Sequence, residues 1–491
     1  MVEVRRLRIY PHALRDDNAY YSPEKVALLF GYFPAESHGD AVTAAGSLVF
    51  TCLSSDVIAH EMSHALLDGL HRRFQEASNP DVPAFHEAFA DIVALFQHFT
   101  VTELVRFEIA RSRNTLSAAG LLGGLAQQFG EGTSRSGPLR NYVGDAERKL
   151  RYDTTLEAHD LGSVLVFAVY EAFLRIVARR TDELIRIATA GSGVLPQGHL
   201  HPDLVDRLTA ETCKVARQVL HMCIRALDYC PPVDITFGEY LRALITADMD
   251  AVADDRRAYR IAFMEAFRRR GIVPRDVRTI SQESLAWNTP REPRPDWLLR
   301  ALEKLDLQWN RELDRSEAFA LNNENCKRLW SVLNDAFLAD GTLCSELGLL
   351  PDIARYDSRG RAMESQGPAR RTNFEVHSVR PARRIAPDGS FRTDIVIVVN
   401  QRRPVPTDGK DLRNGWFWFR GGATLIVDPR QDREAIRYCI VKHCGSNGRL
   451  ERQRRYAGGT SGSALRALYF GHDVREPFAL LHAGYRGQDN E

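Results

Sequence analysis

Two cysteine patterns are missing from this 491-residue sequence: none of its eight cysteines forms a CxxC pair, and eight are too few here for a disulfide framework. A reducing compartment, the cytoplasm, is therefore expected. An excess of either charge is also missing: Lys+Arg number 65 and Asp+Glu 64, for a net charge of +1. A general nucleic-acid binder carries a strong basic excess, so no nucleic-acid partner is expected. Lysine is scarce beside arginine, which a GC-rich coding sequence explains without a function. Residues 1–21 hold basic side chains but no apolar core of signal-peptide length. The most apolar run, 161–178 (LGSVLVFAVYEAFLRIVA), carries Tyr170 and Glu171. It falls short of the roughly 20 uncharged residues of a spanning helix, so it predicts a buried core helix and no membrane partner.

The residues that are present divide into regions. Within 1–52, the runs 26–33 (VALLFGYF) and 46–52 (GSLVFTC) are bounded by turn residues and read as short strands. From Asp56 the apolar period turns helical, over 56–74, 82–99, 102–111, 161–179, 202–227, 237–250 and 256–270. Residues 53–275 thus form a helical domain to which the strands of 1–52 belong. Residues 276–297 carry three prolines and several turn signals and read as a linker. A helical segment spans 298–371. A β-rich C-terminal module spans 372–491, with strand-like runs at 394–400, 416–420, 423–428 and 436–442. There is no internal repeat. The expected class is α+β.

One constellation carries chemistry. Residues 60–64 read His-Glu-Met-Ser-His, and positions i and i+4 share a helix face. Two imidazoles there can bind one metal ion, and Glu61, one step round, can reach a metal-bound water without ligating. Ser54, Ser55 and Asp56 before it are good helix-capping types. A second helical run, FHEAFAD, sets Glu87 and Asp91 four apart among apolar neighbours. A catalytic zinc needs three protein ligands and one open position, so Glu87 can be the third ligand. Asp91 can then accept the ring N–H of a liganding histidine.

These motifs resemble the thermolysin-like gluzincin metallopeptidases, whose pattern is HEXXH, a Glu about twenty residues on, and an Asp four later. The resemblance covers about residues 25–275. It implies a reduced, two-lobed thermolysin-like domain with one Zn²⁺ held by His60, His64 and Glu87, Glu61 as general base and Asp91 behind the ligands. It further implies that His159, opening an apolar helix, hydrogen-bonds the oxyanion, with Asp153 or Glu157 orienting it. Arg140 resembles the family's second oxyanion contact. Phe30-Gly31-Tyr32-Phe33 stands where the family has its substrate-pairing edge strand, which assigns Gly31 and Tyr32 to the substrate backbone. Phe30 replaces the family's Asn there, which puts that residue's amide contact in question. Asp56 matches one family calcium ligand, but the matching partner position holds His98, a poor ligand for a hard cation. Structural calcium is accordingly not expected.

Thermolysin-like enzymes usually carry a signal peptide and a long propeptide, and neither is recognisable here. The reading is a narrow-specificity intracellular processing or effector protease. A protein or peptide is its substrate, and restraint comes from the C-terminal region or a regulatory protein partner. The alternatives are an inactive peptidase scaffold acting as a binding module, and a zinc hydrolase of non-peptide amides. Three other features receive no chemical role. His71 is read as a satisfied surface residue, Cys439–His443–Cys444 as ordinary thiols beside a histidine, and the arginine clusters near 268, 380 and 452 as solvated faces.

Overall fold

The computed structural model describes residues 6–35, 44, 46–113, 124–125, 140–141, 150–154, 157–290, 295–307, 314–357, 359–363, 372–385, 389–412, 415–431, 435–458 and 476–483. They form a mixed α+β structure with a small mixed sheet, a helical body and a larger antiparallel sheet.

The first sheet contains β1 (Arg8–Leu14), β2 (Ala19–Ser22), β3 (Ala27–Pro34) and β4 (Leu48–Phe50). Its order is β1-β3-β2, with β4 also on β3. The apolar run of β3 explains its central place, because Ala27 to Phe30 are all buried. β1 is parallel to β3 and β2 antiparallel, with Ala19 opposite Phe30.

In the helical body, α1 (Ser55–Leu70) starts at Ser54, whose side chain accepts the Val57 N–H. α2 (Asp81–Gln97) is apolar on nearly every side and is buried along most of its length, as an all-round apolar helix must be. α3 (Thr102–Ser112) follows. β5 (Gly124–Leu125) and β6 (Arg140–Asn141) pair as a short ribbon. α4 (Ala158–Ala188) crosses α2, and Gly162 makes the close approach possible: a Cβ there would lie 2.9 Å from the Ala84 carbonyl oxygen. This helix is long and apolar enough to cross a membrane, but 72% of its apolar window is buried in the fold. The predicted core helix is therefore present, and it extends beyond the predicted end. α5 (Pro202–Ala226), α6 (Phe237–Ala251) and α7 (Tyr259–Arg269) complete the body. The stretch read as a linker contains α8 (Gln282–Leu285) and packs on this body. Leu285 is buried, and the Trp287 indole donates to the Tyr229 carbonyl beneath the Arg242 guanidinium.

Then come α9 (Asp296–Lys304), α10 (Arg315–Ala339) and α11 (Thr342–Glu346). The second sheet is an antiparallel meander of β7 (Glu375–Ile385), β8 (Phe391–Pro406), β9 (Trp416–Val427) and β10 (Ile436–Lys442). One face shares a core with α9 and α10, through Leu298, Leu333, Ile397 and Leu425. The other face contributes Ile426, Tyr438 and Ile440 to the core of the helical body. The glycines between the runs 416–420 and 423–428 do not end a strand. They let β9 continue where a Cβ on Gly421 would meet the Cys444 backbone. α12 (Asn447–Gly458) follows, and α13 (Pro477–Ala483) returns to the first sheet. There Phe478 and Leu481 share a small core with Tyr21, Ala65 and Ala158.

Candidate metal centre

The α1 backbone sets His60 and His64 one turn apart, with their Nε2 atoms 3.0 Å from each other. α2 brings Glu87 against both: Oε2 lies 3.4 Å from His60 Nε2, and Oε1 lies 3.5 Å from His64 Nε2. α13 adds His482, whose Nε2 lies 3.5 Å from Glu87 Oε1. One donor atom from each of these four residues falls within 4.8 Å of all the others. Ligands at about 2.0–2.1 Å round a tetrahedral cation stand roughly 3.3–3.4 Å from one another. The observed separations are close to that spacing, so the group could hold a metal ion.

The outer ring nitrogens strengthen this reading. A metal-binding imidazole typically gives its other N–H to a carboxylate or carbonyl, which fixes the ring and its tautomer. His60 Nδ1 lies 2.8 Å from Asp91 Oδ1, and His482 Nδ1 donates to the Ala19 carbonyl at 2.7 Å. His64 Nδ1 is 3.3 Å from Nδ1 of His86. All three rings thus turn Nε2 inward, while Nδ1 is anchored to the protein.

Burial pushes His64 well below the ordinary histidine range, which favours the neutral ring a cation requires. Burial alone would raise the Glu87 carboxyl, but His159, His482 and His64 around it hold it well below the carboxylate range. His60 responds differently. Burial opposes its charge, yet the hydrogen bonds it donates to Asp91 and Glu87 outweigh that and push it up to about 10. The two carboxylates beside this ring make a strongly cation-attracting field. Glu61 is pushed up by burial.

Glu61 stands beside the donor set and outside it. Its Oε2 accepts the Tyr21 backbone N–H at 2.8 Å, and its Oε1 is 3.4 Å from His482 Nδ1. His159 sits at the first turn of α4, where the Glu157 side chain accepts its backbone N–H. Its Nδ1 is 3.2 Å from Glu87 Oε2, and its Nε2–H donates to the Leu481 carbonyl at 3.2 Å. The structure therefore brings His60, Glu61, His64, Glu87, Asp91 and His159 into one buried site.

The other predicted residues are placed as follows. Gly31 and Tyr32 are on β3, where the Thr51 hydroxyl bonds both the amide and the carbonyl of Gly31. A Cβ on Gly31 would lie 2.2 Å from the Asp16 carbonyl oxygen, so close backbone packing accounts for this glycine. Tyr32 pairs with Phe50 of β4 and stacks on its ring. The strand whose backbone reaches Glu61 is β2, through the Tyr21 N–H. Arg140 lies in β6, and its side chain falls outside the described residues. Asp153 is exposed before α4, and Glu87 and Leu481 both contact the His159 ring.

Three other residues singled out in the sequence have clear surroundings. Asp56 Oδ1 accepts from Gln97 and faces His98 Nε2 at 2.8 Å. His71 is buried rather than on the surface; it is stacked on Phe74 with Nε2 on the Leu227 carbonyl, and burial pushes it down to about 3. Arg380 is not solvated either, since it is buried in an ion pair with Asp228.

Sequence reasoning did not find His482, Phe478, His86 or Tyr21. Phe478 lays its ring over His64, with centroids 4.4 Å apart, and also over His86. The only signal at 477–483 is a histidine within a short apolar run, and no spacing rule connects that run to residue 60. The role of Tyr21 is played by its backbone, which side-chain motifs do not report. No family model matches this chain, and no curated protein and no solved structure matches it.

Proposed function

We propose that this protein is a zinc-dependent peptidase of the thermolysin-like gluzincin kind. The observation that carries the reading is the relation of Glu61 to the donor set. A buried carboxylate, held by a backbone N–H, stands next to four convergent donors without joining them. A purely structural metal site has no use for such a group, whereas a hydrolytic one needs a base there. The HEMSH spacing, the Glu87–Asp91 pair and the His60–Asp91 bond support the same reading.

His60, His64 and Glu87 are the residues that would hold the zinc. Bound by them, a zinc ion would supply Lewis-acid chemistry, lowering the pKa of a water toward about 7 and polarising a carbonyl. Glu61 Oε2 is fixed by Tyr21, so Oε1 is the oxygen that takes the attacking water's proton and returns it to the leaving amine. The His159 Nε2–H, which bonds a carbonyl oxygen in this structure, is the donor offered to the substrate's oxyanion. Such a donor is typically worth about 3–4 kcal/mol of barrier. Asp91 holds the His60 ring in its ligating orientation. The substrate is a protein or peptide, and narrow specificity suits a site so enclosed.

A second reading draws on His482. A closed four-ligand shell is typical of structural zinc, which favours an inactive scaffold that binds other proteins. Glu61→Gln separates the two readings. The peptidase reading expects a slow cleavage of a peptide library by the zinc-loaded protein, abolished in Glu61→Gln while zinc content is unchanged. Equal product from both proteins would remove Glu61 from the mechanism.

A further inference from the structure

A peptidase of this kind needs its fourth metal position open, its general base facing solvent and an edge strand free to pair with a peptide. All three are covered by one short helix, so the following inference rests on the peptidase reading and concerns its regulation. We propose that α13 is a built-in plug: His482 takes the fourth coordination position, and the helix body fills the substrate groove, holding the protein at rest until the helix is displaced.

His482 Nε2 faces Glu87 at the separation expected of two ligands on one cation, and its Nδ1 is within 3.4 Å of Glu61 Oε1. The His482 ring thus stands between the base and the metal position, where an attacking water would have to be. Phe478 closes the site from the His64 side. The Leu481 carbonyl accepts the His159 N–H, which is the bond a substrate carbonyl would need.

The groove is filled in the same way. β2 pairs with β3 along one side, and α13 lies along the other. On that side the Ala19 carbonyl is taken by His482, and the Asn18 side chain donates to the Ala479 carbonyl at 3.0 Å. The Tyr21 N–H, two residues along, points to Glu61. An extended peptide adding to this edge would use backbone groups at alternate residues, with its scissile bond beside Glu61. α13 is helical and presents its own side chains and carbonyls there, so it blocks the edge without offering an extended peptide bond to the base.

Among the described residues, one tie of the plug lies away from the cluster at the surface. Lys25 pairs with Glu476 just before the helix, and Lys25 is about half exposed. This pair touches no ligand, so it can be broken without altering the metal site.

The test uses the full chain loaded with Co²⁺ in place of zinc, with acetohydroxamate as a probe of an open coordination position. The wild type is expected to bind acetohydroxamate weakly. Glu476→Lys should bind it at least about tenfold more tightly, because loosening α13 raises the open fraction. The charge swap, Lys25→Glu with Glu476→Lys, should restore weak binding, which a general loss of folding would not do. His482→Ala should bind tightly and change the visible cobalt spectrum, as one nitrogen ligand is replaced by solvent. Equal acetohydroxamate affinity in all four proteins, with an unchanged spectrum in His482→Ala, would overturn the plug. Peptide cleavage is measured in parallel. Tight acetohydroxamate binding by the opened variants with no cleavage would uphold the plug and remove the peptidase reading instead.

Discussion

Three imidazoles in the centre are held by their outer nitrogens, and one of these supports is a carboxylate, Asp91, which accepts from His60 Nδ1. Replacing Asp91 by Asn removes the charge that fixes the ring and raises its basicity. Metal affinity should fall about 10- to 100-fold, read by competition with a chromogenic chelator, while the far-ultraviolet circular dichroism stays unchanged. An unchanged affinity would mean that Asp91 serves packing alone. At this scale the sequence was informative wherever a single helix carries the chemistry. His60 and His64 share a face of α1, and Glu87 and Asp91 share a face of α2, because 3.6 residues per turn bring i and i+4 together. It was silent where chemistry crosses the chain. Nothing local to residue 482 encodes its meeting with residues 60 and 87, which depends on tertiary packing of a short helix.

The elements that hold the centre meet most closely where α4 crosses α2. Gly162 faces the Ala84 carbonyl, the Ala88 amide and the Cβ of Glu87. In an exposed helix, Gly→Ala stabilises by about 1 kcal/mol. Here the added methyl has no room, and the opposite sign is expected. Gly162→Ala should cost about 1–3 kcal/mol in urea denaturation and should also weaken metal binding by shifting the turn that carries Glu87. A stabilised Gly162→Ala would show that the two helices have slack. Element existence was legible for the long helices, whose apolar period runs for several turns. β1 and β2 were less legible. β1 is largely exposed and lacks an apolar alternation, and β2 has only four residues. The Gly421–Gly422 pair read as a break because glycine usually punctuates strands, whereas here it permits close packing against Cys444.

Across the whole molecule, the second sheet and α12 are tied to the helical body by basic side chains on acidic ones. Arg420 meets Glu76, Arg437 meets Asp250, and Lys442 and Arg449 meet Glu239 and Asp234. Arginine clusters and a neutral total charge did not reveal these pairings, since composition carries no information on which cation meets which anion. They make the interface sensitive to acid. Burial alone would raise the Asp234 carboxyl, but Arg449 and Lys442 hold it well below the ordinary range, and Glu76 is lowered in the same way by Arg420. A folded-state value below the unfolded one gives stability that is complete above the unfolded pKa and is lost as pH falls toward the folded one. The urea midpoint should therefore be flat near neutrality and fall below about pH 4. Asp234→Asn should lower the midpoint at pH 7, by about 3 kcal/mol of stability, and blunt the acid limb. An acid limb identical in both proteins would place the titrating groups elsewhere. The central claim concerns the metal, and it is tested most directly by elemental analysis of protein purified without added metal, beside Glu87→Ala. The account predicts about one zinc per chain in the wild type and little in the folded variant. A well-folded wild type that carries no zinc and takes up none on dialysis against it would contradict the account.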